Sequence, residues 1–323
     1  MKHVSILVPE SAVLAAVDDP RHVFSQVNSF YRQAGKPAVF DIKFVGVSKE
    51  IKLHGRSFTV HTDSFLDDVK KTDLIFIPAF TGDKKAFLET NRDFIPWIIE
   101  QREGGAELAS LCLGAFMLAK TGLINGRQCS THWNAADEFR IMFPEIQLVT
   151  DKIITEDNGI YTSGGATSYW NLLLHLVEKY TNREMAILTA KVFAIDIERH
   201  SQSSFMIFKG QNQHRDEEVK KVQNFIEDNF SDKITVDRLS TTFAINRRSL
   251  ERRFKKATNN TVAEYVQRVK IEAAKKSLET SRKNITEVML DVGYSDTKAF
   301  RETFKKITGM TPIGYRKRYN KTA

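Results

Sequence analysis

Cysteine is scarce in this 323-residue chain, which contains only two, Cys112 and Cys129. Two are too few for a secreted protein held by a disulfide framework, so we expect a reducing compartment. No apolar run approaches the roughly 20 residues that span a bilayer. The N-terminal residues also lack the apolar segment and small-residue cleavage site of a secretory signal. The sequence therefore predicts a cytoplasmic protein without a membrane partner.

Acidic residues are in short supply in the last third of the chain. Residues 215–323 contain 25 Lys and Arg against 15 Asp and Glu, a net charge of +10. Residues 1–214 contain 23 against 25, a net charge of −2. This asymmetry predicts a polyanionic partner for the C-terminal third; charge alone would equally suit an acidic protein or a membrane surface.

The first 200 residues or so alternate apolar, β-branched runs with helix-like segments. The runs lie at residues 4–8, 39–45, 74–77 and 106–111, and the helical segments at 22–33, 84–101, 169–180 and 184–199. Near-continuous apolar strands separated by helices are typical of a parallel sheet covered on both faces. The sequence predicts a doubly wound, flavodoxin-like α/β domain over residues 1–208 and an aperiodic polar linker over 209–216.

Residues 217–323 are predicted to form an all-α domain that contains an internal repeat. Residues 247–268 match residues 297–318 at an offset of 50, which pairs Phe254 with Phe304 and similar residues along the rest of the segment. Each copy has a short helix, a tight turn and a second helix, the pattern of a helix-turn-helix motif. The first copy covers 235–243 and 247 onward, and the second covers 285–290 and 297 onward.

The second helix of each motif has a predicted start and two distinct faces. Asn246 and Asp296 occupy the N-cap positions, where a short polar side chain accepts a backbone N–H. The helical period places apolar side chains on one face and basic ones on the other. The apolar residues are Leu250 and Phe254 in the first helix and Phe300, Phe304 and Ile307 in the second; the opposite faces carry Arg248, Arg252 and Lys255, and Lys298, Arg301, Glu302 and Lys305.

A helix anchored from behind, with basic side chains in front, suits the major groove of DNA. Between the motifs, residues 262–280 contain no Gly or Pro and predict a rod roughly 28 Å long. Reading helices on one face of DNA need a separation of roughly 34 Å, so such a rod suits that task. The alternative is two ordinary amphipathic helices with solvated basic faces. The repeat, the caps and the charge asymmetry together favour the DNA reader.

The same residues resemble a known family. The runs LERRFKK at 250–256, VGYSDTKAFRETFKK at 292–306 and GMTPIGYR at 309–316 are similar to the AraC/XylS-type transcription-factor domain. Two departures, Met289 for a usual alanine and Glu302 for a frequent arginine, lead us to expect that the second helix reads DNA weakly or mainly holds position. From the helical faces and the resemblance, we expect double-stranded DNA to be contacted by Asn246, Arg247, Arg248, Ser249, Arg252, Lys255, Thr297, Lys298, Arg301 and Lys305.

The run SLCLG at residues 110–114 has the form of a nucleophile elbow, with an apolar strand before it and a helix-forming run, 115–120, after it. We expect this turn to expose the Cys112 sulfur at the carboxyl end of the sheet. The following helix N-terminus would favour the thiolate, and His132 would be its base or hydrogen-bond partner. By spacing alone, a packed cysteine and a structural histidine remain the alternatives.

This region also resembles a family. The elbow, STHW at 130–133, TSGGA at 162–166 and LLLHLV at 172–177 are similar to the PfpI type of amidotransferase-like domain, which includes proteases and glyoxalases. Joined to an AraC-type tail, the whole chain resembles the GlxA family of transcriptional regulators.

The departures from that pattern concern catalysis. The family's acidic position near the nucleophile falls on Ala16, with Glu10 nearby but not aligned. The glycine-rich oxyanion loop is bulkier here, at residues 77–82, and Asn171 replaces an aspartate common in the regulators. We therefore expect a binding pocket rather than a catalytic site, with ligand contacts from Cys112, Leu113, His132, Glu10 and Phe80.

Other residues of these runs have more ordinary interpretations. Cys129 is expected to pack in the core, or to form a redox pair with Cys112 if the two face each other. Trp133, Trp170 and Phe116 are expected in the core, and His175 is expected to be structural.

The sequence thus predicts a homodimeric DNA-binding transcriptional regulator whose N-terminal domain senses a small ligand or electrophile. A cysteine hydrolase or glyoxalase-like enzyme with a DNA-binding tail is the alternative, and a pure dimerisation scaffold is a third possibility. No metal-ligand cluster or phosphate-cradling glycine loop occurs in the sequence, so we expect no metal and no cofactor.

Overall fold

The computed structural model describes residues 1–197, 201–211 and 214–320. The chain divides into two compact units, Met1–Gln202 and Ser203–Ala323. This division lies ahead of the boundary expected after residue 208. Within the expected linker, residues 212 and 213 fall outside the described residues, and Asp216 caps the first helix that follows.

The first unit is built around one twisted sheet. Seven strands pair in the order β10-β11-β7-β6-β1-β2-β5. Every pairing in this sheet is parallel except that of β10 with β11, which form an antiparallel edge. The strands of the unit are β1 (Lys2–Leu7), β2 (Phe40–Gly46), β3 (Glu50–Leu53), β4 (Phe58–His61), β5 (Ser64–Phe65), β6 (Leu74–Ile77), β7 (Glu107–Ser110), β8 (Gln128–Cys129), β9 (Gln147–Leu148), β10 (Ile154–Asp157) and β11 (Ile160–Ser163).

Helices cover both faces of this sheet. They are α1 (Leu14–Gln33), α2 (Lys84–Thr90), α3 (Phe94–Glu103), α4 (Ala115–Lys120), α5 (Ala136–Met142), α6 (Tyr169–Tyr180) and α7 (Arg183–Val192). Residues of α1, α6 and α7 share one apolar cluster with alternate strand residues, and α2 to α5 share the other. The predicted doubly wound α/β fold is therefore confirmed.

Two predicted helices of this unit have different limits in the structure. The helix expected at 22–33 begins at Leu14 and contains Pro20, which has no N–H to donate within the helix. Here Ala16 and Val17 are fully buried, and that packing outweighs the lost hydrogen bond. The segment 184–199 ends as a helix at Val192, and residues 198–200 lie outside the described residues.

The single helix expected at 84–101 was wrong, because the chain forms two helices there, α2 and α3. Asn91 ends the first of them and is almost fully buried. Its side-chain amide bonds both the backbone N–H and the carbonyl of Glu10, at 2.8 and 3.2 Å. A tertiary contact with the loop after β1 therefore replaces helix continuation.

The second unit is helical, as predicted. Its helices are α8 (Glu217–Asp228), α9 (Val236–Thr242), α10 (Arg247–Thr258), α11 (Val262–Thr280), α12 (Ile285–Asp291), α13 (Thr297–Thr308) and α14 (Pro312–Tyr319). Helices α9 and α10 form one helix-turn-helix, α12 and α13 form the other, and α11 is the rod expected at 262–280. One apolar cluster holds the first motif and a second cluster holds the other, with Phe230 packed against both.

The predicted caps and the internal repeat are confirmed in atomic detail. The Asn246 side chain accepts the Arg248 N–H at 3.0 Å, and that of Asp296 accepts the Ala299 N–H at 2.6 Å.

Within the ranges 1–197, 201–211 and 214–320, no helix has both the length and the apolar character needed to cross a membrane.

Candidate functional site

Cys112 follows β7 in a tight turn that leads into α4. Its backbone φ is +54°, a left-handed conformation that residues with a side chain rarely adopt. Gly114 makes the turn possible, because a Cβ there would lie 2.3 Å from the Ile77 carbonyl oxygen. The strand, the turn and α4 together have the form of the elbow that the sequence predicted.

The thiol of Cys112 is enclosed, contrary to the expectation of an exposed sulfur. The residue is only 6% exposed. Its backbone N–H donates to Ser163 Oγ at 3.2 Å, and its carbonyl accepts from Thr131 Oγ1 at 2.9 Å. Burial raises the pKa of the Cys112 thiol, while hydrogen bonds from the backbone N–H groups of Ala166 and Leu113 act in the opposite direction. The raised pKa favours the neutral thiol over the thiolate that the sequence led us to expect, because desolvation acts more strongly than these donors.

His132 lies against the same glycine-rich turn as Cys112 but is engaged elsewhere. Its Nδ1 accepts the Asn134 N–H at 3.1 Å, and burial lowers the pKa of the imidazole. A Cβ on Gly165 would lie 2.2 Å from the His132 ring. Among the residues that the structure describes, no hydrogen bond joins this ring to the Cys112 sulfur. The turn at Gly165 and Ala166 therefore brings the two side chains to one region without a hydrogen bond between them.

An acidic group that the sequence did not identify faces this region from α1. The Tyr169 hydroxyl donates to Asp19 Oδ2 at 2.6 Å. Burial raises the pKa of Asp19, although hydrogen bonds from Tyr169 and Trp170 lower it. Burial also raises the pKa of Tyr169, and the negative charge of an ionised Cys112 would raise it further. Asp19 lies one helical turn after Ala16, the position where the family pattern placed its acid.

Gln202 is a second residue that the sequence missed. Its Nε2 donates to the Thr131 carbonyl at 3.0 Å, and its Oε1 accepts the Gly165 N–H at 3.1 Å. A Cβ on Gly164 would lie 2.9 Å from the same side-chain amide. Gln202 therefore connects the loop before His132 to the glycine-rich turn. No sequence motif around Gln202 predicts this contact.

The remaining predicted ligand contacts have different surroundings. Leu113 is half-buried and packs against both apolar clusters. Glu10 is exposed, and its backbone is bonded to Asn91. Phe80 is fully buried and stacks on Phe87 with ring centroids 3.6 Å apart. The structure thus places Phe80 in the core between α2 and α4.

Cys129 packs in the core and forms no pair with Cys112. Both cysteines are free, and they belong to the clusters on opposite faces of the sheet. Complete burial raises the pKa of Cys129 to about 12. Of the other residues expected to be structural, Phe116 is fully buried, while Trp170 packs against the core and Trp133 is half-buried. His175 Nε2 lies 3.1 Å from Glu156 on β10.

The first helix-turn-helix presents its basic residues to solvent. Arg248 and Arg252 are exposed, whereas Leu250 and Phe254 behind them are fully buried. Arg247 is held beside Asp237, with a nitrogen-to-oxygen distance of 3.0 Å. The other predicted DNA contacts on this helix have defined partners or partial burial: the Asn246 side chain caps the helix, Ser249 is half-buried, and Lys255 Nζ donates to the Asn259 carbonyl at 2.9 Å.

The second helix-turn-helix repeats this arrangement. Phe300 and Phe304 are fully buried, and the predicted contact residues on the opposite side of α13 are all exposed. These residues are Thr297, Lys298, Arg301 and Lys305. Glu302 is exposed on the same helix, so its negative charge reduces the positive surface there.

Acidic, histidine and cysteine side chains do not gather into a metal-binding group in the part of the chain that the structure describes.

Two family models match this chain. That of the DJ-1/PfpI family matches residues 14–179, about half of the chain, and a helix-turn-helix domain model matches residues 239–318. The chain belongs to the DJ-1/PfpI family. Its C-terminal unit is a helix-turn-helix domain of the AraC type. The resemblance seen in the sequence is therefore confirmed for both units.

The relatives that this DJ-1/PfpI family member resembles are regulators. It is 24% identical over 254 residues to the HTH-type transcriptional regulator GbdR of Pseudomonas aeruginosa, covering 77% of this chain and 67% of that protein. It is 23% identical over 264 residues to the HTH-type transcriptional regulator CdhR of the same species, covering 80% and 76%.

Solved structures agree on the fold of the DJ-1/PfpI unit. A putative transcriptional regulator from Vibrio parahaemolyticus matches with a TM-score of 0.53 and 21% identity, covering 59% of this chain and 98% of that one. An AraC family transcriptional regulator from Pseudomonas putida matches with a TM-score of 0.51 and 14% identity, covering 60% and 100%. At these identities the likeness shows the fold alone.

Proposed function

We propose that this DNA-binding transcriptional regulator reads double-stranded DNA with α10 and, more weakly, with α13, and that it adjusts this binding through the site around Cys112. The observation that carries the proposal is the repeated helix-turn-helix, in which buried phenylalanines hold each second helix and basic side chains project from its other face. Arginine on such a helix reads guanine, and lysine meets phosphate. The relatives GbdR and CdhR are both described as HTH-type transcriptional regulators.

The first unit is proposed to bind a small effector rather than to catalyse a reaction. Three observations support this part of the proposal. Burial raises the pKa of the Cys112 thiol, and His132 Nδ1 accepts the Asn134 N–H. The acid of this region, Asp19, accepts a hydrogen bond from Tyr169. An effector changes DNA binding only if its affinity differs between the binding-competent and incompetent states. We place this regulator in the cytoplasm, together with the DNA it reads.

A second candidate function, cysteine-dependent catalysis, is favoured by one observation. The backbone N–H groups of Leu113 and Ala166 point at the Cys112 sulfur, and the residue holds the strained elbow conformation. Strain of this kind clusters at functional sites. Turnover of methylglyoxal or of a peptide that is abolished in Cys112→Ala, with DNA binding retained, would favour the enzyme over the sensor.

The test of DNA reading uses the full-length chain and a library of randomised duplexes. We expect repeated selection to enrich a half-site composed of two blocks about one helical turn apart, because the two helices of each chain enter successive major-groove segments. The control is Arg248→Ala combined with Arg252→Ala, which leaves the buried anchors in place. Equal recovery of all sequences by the wild type, or equal enrichment by the control, contradicts the proposal.

We also propose that the regulator is a homodimer. Each chain offers one pair of reading helices, and a second copy raises affinity by joining two half-sites through a high effective concentration. Light scattering on the full-length protein is expected to give twice the chain mass of 36.9 kDa. A single-chain mass at the concentration that saturates the selected DNA would contradict this part.

A further inference from the structure

The helix between the two motifs, α11, contains a lysine in its buried face. Lys270 lies near the middle of this helix and is only 8% exposed. Burying an ammonium group is costly unless hydrogen-bond acceptors replace water. That cost is visible in the pKa of Lys270, which burial lowers. Such a residue in a short helical domain calls for a specific set of partners.

The partners of Lys270 belong to both helix-turn-helix motifs. Its Nζ donates to the Asp232 carbonyl at 3.3 Å and to the Gly293 carbonyl at 3.0 Å. It also lies 5.5 Å from the centroid of the Tyr294 ring. Asp232 is in the turn before α9, whereas Gly293 and Tyr294 are in the turn between α12 and α13. One side chain therefore joins the entrance of the first motif to the central turn of the second.

The two turns also meet directly, backbone against backbone. Gly293 has a φ of +73°. A Cβ at this position would lie 2.0 Å from the Ser231 carbonyl oxygen and 2.6 Å from Lys270 Nζ. A side chain at position 293 would not fit between the turns, so they approach this closely because residue 293 is glycine. This contact is independent of the hydrogen bonds and indicates the same junction.

Among the described residues, no acidic side chain lies within ion-pair distance of the Lys270 ammonium group. The Asp232 carboxylate is the nearby acid that raises the pKa of Lys270, but it is bound by Arg238 at 3.1 Å. Lys270 is thus held by main-chain carbonyls, whose positions follow the turns themselves. Main-chain acceptors make the side chain sensitive to where each motif sits.

We propose that Lys270 is a positioning residue that fixes the separation and rotation of α10 and α13 by holding the turn before α9 against the turn before α13. This inference rests on the proposed DNA-reading function. A reader with a fixed separation recognises two blocks at one spacing. A single inserted base pair moves the second block by about 3.4 Å and rotates it by about 35°, given the 34–36 Å rise of one 10–10.5 base-pair turn.

The experiment compares two duplexes, the sequence selected by the wild-type chain and the same sequence with one base pair inserted between the two blocks of each half-site. The measured quantity is the ratio of the two dissociation constants. We expect the wild type to bind the inserted duplex at least about tenfold more weakly than the selected one, which is the scale of the affinity lost to one mismatched base pair. In Lys270→Met, which keeps a stem of similar length without the donors, the ratio is expected to fall below about threefold. Binding to the selected duplex is expected to weaken as well.

The matched control is Lys275→Met. Lys275 is a second buried lysine of α11, 4% exposed, whose Nζ bonds Glu272 and the Met206 carbonyl and neither of the two turns. Its loss is expected to lower thermal stability while leaving the spacing ratio at the wild-type value. Gly293→Ala approaches the junction from the other side, because its Cβ forces the turns apart. It is expected to lower the ratio as Lys270→Met does.

The possible results distinguish a failure of the role proposed for Lys270 from a failure of the proposed DNA-reading function. If the wild type selects no sequence, the DNA-reading proposal fails and with it the basis for this inference. If the wild type shows the spacing penalty and folded Lys270→Met keeps the same ratio, Lys270 is only structural and the inference is overturned. If circular dichroism shows that Lys270→Met does not fold, Gly293→Ala decides: a collapsed ratio supports the junction, and an unchanged ratio overturns it.

Discussion

The pKa of the Cys112 thiol is subject to opposing influences. Two backbone N–H groups and the start of α4 favour the thiolate, whereas burial favours the thiol. Burial is the largest of these influences and raises the pKa of the Cys112 thiol. The elbow therefore favours a neutral sulfur.

The alkylation rate of Cys112 is expected to rise with pH beyond the ordinary thiol pKa of about 8.5. Because burial raises the folded-state pKa, the thiolate appears only at higher pH. Iodoacetamide labelling of the native protein, followed by peptide mass spectrometry, measures this rate. Cys129, with its pKa near 12, is the internal control and should react more slowly still. A half-maximal rate below pH 8 would contradict the neutral thiol and revive catalysis or covalent sensing.

Gly114→Ala is expected to destabilise the first unit by about 1–3 kcal/mol, because its Cβ would overlap main-chain oxygens that cannot rotate away. Gly104→Ala is the matched control. Both glycines have ordinary right-handed φ values, −54° and −69°, but the nearest atom to a Cβ at Gly104 is 3.3 Å away. The control is expected to change stability by no more than about 0.5 kcal/mol.

Tryptophan fluorescence during urea unfolding measures this difference. All three tryptophans, Trp97, Trp133 and Trp170, lie in the first unit, so the signal reports that unit alone. Equal midpoints for the two variants would show that the backbone at Gly114 yields more easily than its contacts indicate.

At the scale of elements, α8 is attached to the first reading helix by a charged pair. Asp216 caps α8, and its carboxylate oxygens bond Arg253 of α10 at 2.5 and 2.8 Å. The hydrogen bond from Arg253 is the main reason that the pKa of Asp216 is lowered. Both side chains keep a quarter to a third of their exposure, so solvent screens part of this interaction. The pair orients α10 from its inner side without using its exposed face.

Asp216→Asn is expected to lower the stability of the second unit by about 1 kcal/mol at pH 7, since the amide still caps α8 but loses the ion pair. A carboxyl group with a lowered folded-state pKa stabilises the protein above its unfolded value and loses that effect as pH falls through the folded one. The difference between variant and wild type is therefore expected to shrink below the ordinary pKa of 3.8.

Circular dichroism at 222 nm follows the helical transition that tryptophan fluorescence does not report. Glu218→Gln, which removes an exposed pair with Lys221 one turn along the same helix, is the control and should have little effect. A difference between Asp216→Asn and wild type that stays constant down to pH 2 would argue against the charged pair.

At the scale of the whole molecule, the positive charge belongs to the second unit and should dominate the response of DNA binding to salt. Residues 215–323 carry a net charge of +10 against −2 for the rest. Cations that meet phosphates release counterions, so affinity falls as salt rises. With several phosphate contacts, we expect binding to the selected DNA to weaken at least about a hundredfold between 50 and 200 mM salt.

Arg252→Ala is expected to weaken DNA binding about tenfold or more, the cost of one base contact. Fluorescence anisotropy across the same salt range measures both the affinity and the slope. Lys221→Ala is the control, because it removes an equal charge from the exposed face of α8. Equal effects of the two variants would mean that net charge, rather than the face of α10, determines binding.

Where the signal was local, the sequence was sufficient. The helix at Val262–Thr280, the caps at Asn246 and Asp296, and the repeated anchors at Phe254 and Phe304 follow from periodicity, capping chemistry and self-similarity within short windows. The predicted α/β architecture likewise needed only the alternation of apolar runs and helices. These features depend on neighbours along the chain, so each can be read before the chain folds.

Only the tertiary structure decided which groups surround Cys112 and which groups hold the two helix-turn-helix motifs together. Asp19 meets Tyr169 and Gln202 meets Gly165 across long stretches of sequence, while Lys270 meets carbonyls on both sides of its helix. The enclosure of Cys112, and hence the state of its thiol, arises in the same way. Such contacts join residues that no periodicity or motif relates. Their energies come from burial and from partners that only the assembled fold supplies.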